Sequence, residues 1–198
     1  MIAVQQQPEP PDFDAKVRQT GVAWMRAHGI ADNQPLPRGT RLKDYWRECK
    51  PDVYERYGRC CAYLAVYMQD IGEVTIDHFI PKSLRPDLAY EWSNYRLASA
   101  LINARKLQSC DVLDPFAVQN GWFHLELVTG HIYPNPALDS PAIEKVQTTI
   151  ARLKLDDANC RETRAQHFQD FCEQNISEAH LKTHSPFVWS EASRQGLL

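Results

Sequence analysis

Residues 74–106 constrain this chain more than any other stretch. The β-branched run Val74-Thr75-Ile76 reads as a strand that delivers Asp77 and His78 at its end, with Pro81 closing it. A loop rich in turn formers follows (Pro81, Ser83, Pro86, Asp87). The stretch Tyr95 to Leu107 then places Leu97, Leu101, Ile102 and Ala104 at positions that suit a helix. Strand, loop and helix bring Asp77 and Asn103 towards each other. Hydrolysing a phosphodiester needs a base to deprotonate water, a divalent cation to stabilise charge on the phosphate and the leaving oxygen, and a scaffold that holds both. A histidine beside a carboxylate, followed some 25 residues on by an amide oxygen, offers that set.

The wider pattern is Asp77-His78, Pro81-Lys82-Ser83, Trp92-Ser93-Asn94 and Asn103-Ala104-Arg105-Lys106. It resembles the HNH endonucleases, whose core is a β-hairpin and a helix gripping one metal. The run from Asp77 to Ser83 is especially similar to HNH nucleases of bacterial restriction and anti-phage systems. The resemblance implies a ββα-metal core over residues 59–108, with Cys60 to Tyr67 pairing with 73–79 as its hairpin. It makes His78 the general base and Asp77 and Asn103 the metal ligands. Asn94 would orient the histidine through its ring nitrogen or through the loop backbone. Lys106 would join the catalytic set, and Lys82, Arg85, Arg96 and Arg105 would contact nucleic acid. DNA is the implied substrate, with RNA left open, and an ATPase or a second copy of the chain the implied protein partner. The alternative is an inactive HNH-fold module that binds nucleic acid or a partner.

The residue types fit this independently. Carboxylate, amide oxygen and water are hard ligands suited to Mg²⁺ or Mn²⁺, and two protein ligands leave room for phosphate and water. Histidine, with an unperturbed pKa of about 6.5, accepts a proton near neutral pH. Many HNH proteins also carry two Cys-x-x-Cys pairs around a structural zinc. Here those positions fall at Cys61, Leu64, Ser99 and Ile102. Three of the four ligands are lost, so no structural zinc is expected.

Six cysteines at irregular separations, two of them adjacent at Cys60-Cys61, do not read as a disulfide framework. Residues 1–11 lack a basic start and an apolar run, and read as a disordered tail rather than a signal peptide. No stretch approaches the roughly 20 apolar residues of a membrane span. A cytoplasmic protein without a membrane partner is the expectation. The net charge of -3 argues against a generic DNA-coating protein. Residues 38–106 nevertheless lean basic, with Arg41, Arg47 and Lys50 among the cations that could grip phosphates.

The flanks read as mostly helical. Phe13 to His28 forms a helix stopped at Gly29, a linker spans 30–39, and Thr40 caps a second helix that Pro51 interrupts. Residues 12–58 thus make an N-terminal helical region. In 109–198, Trp122 to Val128 and His131 to Tyr133 form a second hairpin. Ser140-Pro141 opens a helix, Asp157 to Asn175 makes another, and the two form a C-terminal helical hairpin whose acidic balance and apolar stripes, Ile143 to Leu153 and Phe168 to Cys172, suit contact with protein and not DNA. Residues 185–189 make an apolar clip on a polar tail. The expected fold is α+β: a ββα-metal core within flanking helices, all in one compact domain.

Overall fold

The computed structural model describes residues 1–31 and 34–198, so residues 32 and 33 of the expected linker lie outside the described residues. Among the described residues the chain is α+β, with seven α-helices and two small antiparallel sheets of two strands each. None of these helices is long and apolar enough to cross a membrane. Where one domain was expected, the chain forms two compact units. The first comprises Gln6–Arg59 and Asp70–Cys110; the second comprises Met1–Gln5, Cys60–Gln69 and Asp111–Leu198.

In the first unit a π-helical stretch, Asp14–Gln19, runs into α1 (Thr20–Ala27), as the Phe13 to His28 pattern implied. Gly21 is required there, because a Cβ would sit 2.2 Å from the Tyr90 ring. A 3-10 turn, Tyr45–Cys49, continues into α2 (Lys50–Arg56). Pro51, expected to interrupt a helix, instead occupies the first turn of α2, where a missing N–H leaves nothing unsatisfied.

β1 (Val74–His78) pairs antiparallel with β2 (Tyr95–Ser99), His78 opposite Tyr95 and Val74 opposite Ser99. This corrects two expectations. Cys60 and Tyr67 form only an isolated bridge with each other, in the second unit, and Tyr95–Ser99 is strand rather than helix. The change of state falls at Ser99, whose Oγ accepts from the Ile102 amide at 3.3 Å and so caps α3 (Ala100–Lys106). Val74, Ile76, Tyr95 and Leu97 lie on one face of the sheet and are buried. Each such side chain contributes about 1.5–3 kcal/mol by removal from water. The Tyr95 ring packs edge-on against Phe13 and Trp92.

In the second unit the first residues are ordered, contrary to expectation. Met1 is buried, and the Val4 amide donates to the Pro115 carbonyl at 2.9 Å. Gln7, in the first unit, is fixed as well, by the Trp92 indole at 2.7 Å. β3 (Phe123–Glu126) and β4 (His131–Pro134) form the second hairpin as anticipated. α4 (Ser140–Leu153) is capped by Asp139, one residue earlier than expected, and α5 (Ala158–Cys172) by Asp157. The end of the chain forms α6 (Glu178–His184) and α7 (Pro186–Arg194), the latter burying Phe187, Val188 and Ala192.

α4 packs on β4, whereas α5 packs on α6 and α7, so the two long helices do not pair as the expected hairpin. Asp156, between α4 and α5, is held within the unit. It accepts from the Ile132 amide at 3.0 Å, Arg161 Nε at 2.9 Å and His131 Nδ1 at 2.9 Å. Burial alone would raise its pKa, but these bonds outweigh that and hold it below the usual carboxylate range.

Candidate functional site

Successive strand residues alternate in direction, so Thr75 and Asp77 share the face of β1 opposite the buried apolar one. On α3, Asn103 and Lys106 stand one turn apart on a common face. The two rows meet. Asn103 Nδ2 donates to Thr75 Oγ1 at 3.1 Å, and Lys106 Nζ donates to Asp77 Oδ1 at 3.0 Å. Thr75 gives its own proton to the Ala98 carbonyl at 3.2 Å, so its oxygen must act as acceptor towards Asn103. That fixes the amide and turns Oδ1, the hard ligand atom, away from Thr75.

Lys106 is fully buried, and its other two protons go to the carbonyls of His78 and Phe79 at 3.0 and 2.9 Å. All three ammonium donors are thereby satisfied within the fold. This corrects the catalytic role expected of Lys106: it cannot reach a phosphate, and instead pins the exit of β1 and holds Asp77.

His78 leaves the other face of the strand. Its Nε2 lies 2.9 Å from the Ala89 carbonyl, which also accepts the Tyr95 hydroxyl at 2.8 Å. A carbonyl only accepts, so Nε2 carries the proton and Nδ1 the lone pair. The ring packs edge-on against Trp46 and Tyr95, at 4.8 and 5.2 Å between centroids. Burial pushes its pKa down to about 3, helped by the Lys82 and Lys106 ammonium groups and opposed by the Ala89 carbonyl. The ordinary value assumed from sequence therefore does not hold here. An anion arriving beside the ring would offset the two cations. Of the two routes considered for Asn94, the geometry is that of the loop backbone. Its Oδ1 accepts from the Ile80 amide at 2.8 Å, and its Nδ2 donates to the carbonyls of Ile80 and Leu88 at 3.0 and 3.1 Å.

The four cations expected to contact nucleic acid separate. Lys82 lies 5.0 Å above the Trp46 ring and borders the site; burial holds its ammonium below the usual lysine range. Arg85 is paired with Asp87 at 2.8 and 2.5 Å. Arg96 is a correction: it is 3 % exposed, donates to the carbonyls of Ser93 and Tyr95 at 2.7 and 3.0 Å, and lies over the Phe79 ring. Its guanidinium is a structural tie and does not face a phosphate. Arg105 is half-buried and lines neither cavity described next.

Two adjoining cavities share Arg41, Leu42, Ile76, Lys82 and Asn103. Because residues from both faces of β1 line them, they run along its open edge. The smaller, about 210 Å³, is bordered by Asp77, His78, Ser83 and Asn103. The larger, about 460 Å³, is bordered by Arg41, Trp46, Arg47, Lys50, Lys82 and Asn103. Arg41, Arg47 and Lys50 were visible in the sequence only as members of a basic half. Nothing in their spacing tied them to Asp77, because a fold contact and not a motif brings them there.

Among the described residues no group of three His, Cys, Asp or Glu side chains could hold a metal ion. The available donor set is one carboxylate and one amide oxygen on a common cavity wall, joined by Ser83 Oγ, which is buried without a hydrogen-bond partner among the described residues. Such a set fits a weakly held hard cation whose shell is completed by water and substrate, not a tightly resident one. The chain matches none of the protein-family models it was compared with, nor any curated protein.

Proposed function

We propose that this chain is a divalent-cation-dependent phosphodiester hydrolase acting on DNA, with β1, β2 and α3 as a ββα catalytic core of the HNH kind. The observation that carries the reading is that Asp77, His78 and Asn103, singled out by chemistry, border one cavity whose wall continues into the cations Arg41, Arg47, Lys50 and Lys82. A Mg²⁺ or Mn²⁺ ion at Asp77 and Asn103 would supply charge stabilisation at the phosphate and the leaving oxygen. His78 offers its Nδ1 lone pair to a proton from water, in a tautomer fixed by Ala89. Lys106 holds the Asp77 carboxylate in place, Asn94 fixes the loop after His78, and Lys82 brings positive charge to the phosphate.

The burial of His78 favours one alternative, a nucleic-acid-binding or partner-binding module without chemistry. Nicking of a supercoiled plasmid in Mg²⁺ or Mn²⁺ separates the two. His78→Ala should cut roughly 10²–10⁴-fold more slowly while still binding DNA. Asn103→Ala should also be slow, but partly recover in excess Mn²⁺ because the base is intact. Wild-type protein that binds DNA and never nicks it, or His78→Ala that nicks at full rate, would refute the hydrolase reading.

A further inference from the structure

We infer that the larger cavity holds a backbone phosphate flanking the scissile one, so that the substrate is a polynucleotide chain rather than a mononucleotide or a small phosphodiester. This rests on the hydrolase reading and adds to it where the rest of the substrate lies. The two cavities share the wall formed by Arg41, Lys82 and Asn103, so a strand with one phosphate beside His78 continues directly into the larger cavity.

Four cations line that larger cavity, Arg41, Arg47, Lys50 and Lys82, against the one carboxylate of Asp44. Asp44 is committed to Arg47 Nε at 2.7 Å, and Arg41 and Lys50 form no ion pair among the described residues. Cations held together without counter-charge repel one another, and an anion entering between them relieves that repulsion. Their positions are set in advance. Arg47 and Lys50 project one turn apart from the segment running through the 3-10 turn into α2, and that segment is anchored by buried Cys49 and Val53.

The same wall argues against recognition of a base. Trp46 is the one aromatic ring in it, and its surroundings include Lys82 at 5.0 Å, His78 at 4.8 Å and Tyr90 at 5.9 Å, so it is not an open stacking platform. What the cavity offers is positive charge, which reads phosphate and not sequence.

The test is the salt dependence of binding, measured by anisotropy with a labelled 20-nucleotide single strand and with a duplex. Each neutralised phosphate contributes about 0.7 to the slope of log affinity against log salt on single strands and about 0.9 on duplex. The double variant Arg41→Ala/Lys50→Ala should therefore flatten the slope by about 0.7 on single strands and about 0.9 on duplex, the share of one phosphate, and bind more weakly at low salt. Arg41→Gln/Lys50→Gln, which keeps side-chain volume, should do the same. Lys145→Ala, on the exposed surface of α4, should leave the slope unchanged. An unchanged slope in both double variants, or an equal change in Lys145→Ala, overturns the subsite, as does wild-type protein that binds no polynucleotide at all. The hydrolase reading is judged separately by plasmid nicking and by hydrolysis of bis(p-nitrophenyl) phosphate. Flattened slopes in a protein that cleaves neither would sink that reading and leave the phosphate subsite standing.

Discussion

Each unit buries one carboxylate beside a cation, and the two differ in what the pairing leaves exposed. Glu191, in the second unit, is 3 % exposed; its oxygens accept from the Leu125 amide at 2.8 Å and from Arg194 through Nε and a terminal nitrogen at 3.0 and 2.8 Å. Arg194 itself reaches solvent, with a side chain 41 % exposed. Glu191 thus ties β3 to α7. Asp77, in the first unit, is 2 % exposed, but its cation is buried completely and the carboxylate borders a cavity rather than solid protein. A fold that only needed a tie would use the first arrangement, where water screens one partner. The second holds a charge in low dielectric beside open space.

Removing the cation from each pair gives the largest expected difference. Lys106→Met takes from buried Asp77 the ammonium at 3.0 Å and frees two carbonyls, and should cost about 3–5 kcal/mol in the unfolding of the first unit. Arg194→Ala leaves Glu191 its Leu125 partner, and because Arg194 is partly solvated the loss should be about 1 kcal/mol or less. Urea unfolding followed by far-ultraviolet circular dichroism reads both. Equal losses would mean that the Asp77–Lys106 pair is no more buried in effect than the Glu191–Arg194 pair.

That pair also marks the limit of what the sequence made legible. Val74-Thr75-Ile76 announced β1 correctly, and Asp77, His78 and Asn103 line one cavity. The strand's partner was not readable. Tyr95–Ser99 carries apolar spacing compatible with the start of a helix, and which strand pairs with which is decided by contacts distant in sequence, not by local period. Lys106 was misassigned because lysine is almost never fully buried, and its partner lies 29 residues upstream. Arg96 looked like any surface cation until its register opposite Asp77 placed it inside. In the second unit α4, α5 and the β3–β4 hairpin followed their patterns, while α6 and α7 were missed because each is short and closely follows a turn.

Acid should separate the units next. The His78 pKa is about 3 in the fold against about 6.5 in the unfolded chain, so between those values the unfolded state binds more protons. Stability of the first unit is then full above about pH 6.5 and declines as pH falls, by up to about 4 kcal/mol near pH 3. In the second unit, burial holds the Met1 ammonium well below its ordinary value and His167 and His124 below theirs, so that unit also loses stability as pH falls. Asp156 acts lower still: its pKa is depressed, so its contribution is present above the ordinary carboxylate range and lost only as pH falls through the folded value. Amide exchange across pH 7 to 4 should show the β1–β2 amides losing protection. His78→Asn should flatten the pH dependence of the first unit and not that of the second, and a first-unit profile unchanged by the substitution would contradict the assignment.

The smallest effect tests whether a hydroxyl bridge serves the fold or the site. Thr149, in the second unit, accepts from the Leu113 amide at 2.9 Å and donates to the Lys145 carbonyl at 2.9 Å, and it is fully buried. Thr75 bridges in the same way between Asn103 and Ala98, but beside the cavities. Thr149→Val orphans a buried amide and should cost about 1–3 kcal/mol. Thr75→Val should cost less, about 0.5–1.5 kcal/mol, because Thr75 is only half-buried and the freed groups can meet water. Its consequence lies instead in the Asn103 amide, which loses the acceptor that turns Oδ1 away from the strand. The Mn²⁺ concentration giving half-maximal cleavage should therefore rise several-fold in Thr75→Val, return towards wild type in Thr75→Ser, and stay fixed in Thr149→Val. A Thr75→Val protein with the wild-type Mn²⁺ curve would show that Asn103 does not depend on Thr75 for its orientation, and would remove Thr75 as a positioning residue of the site.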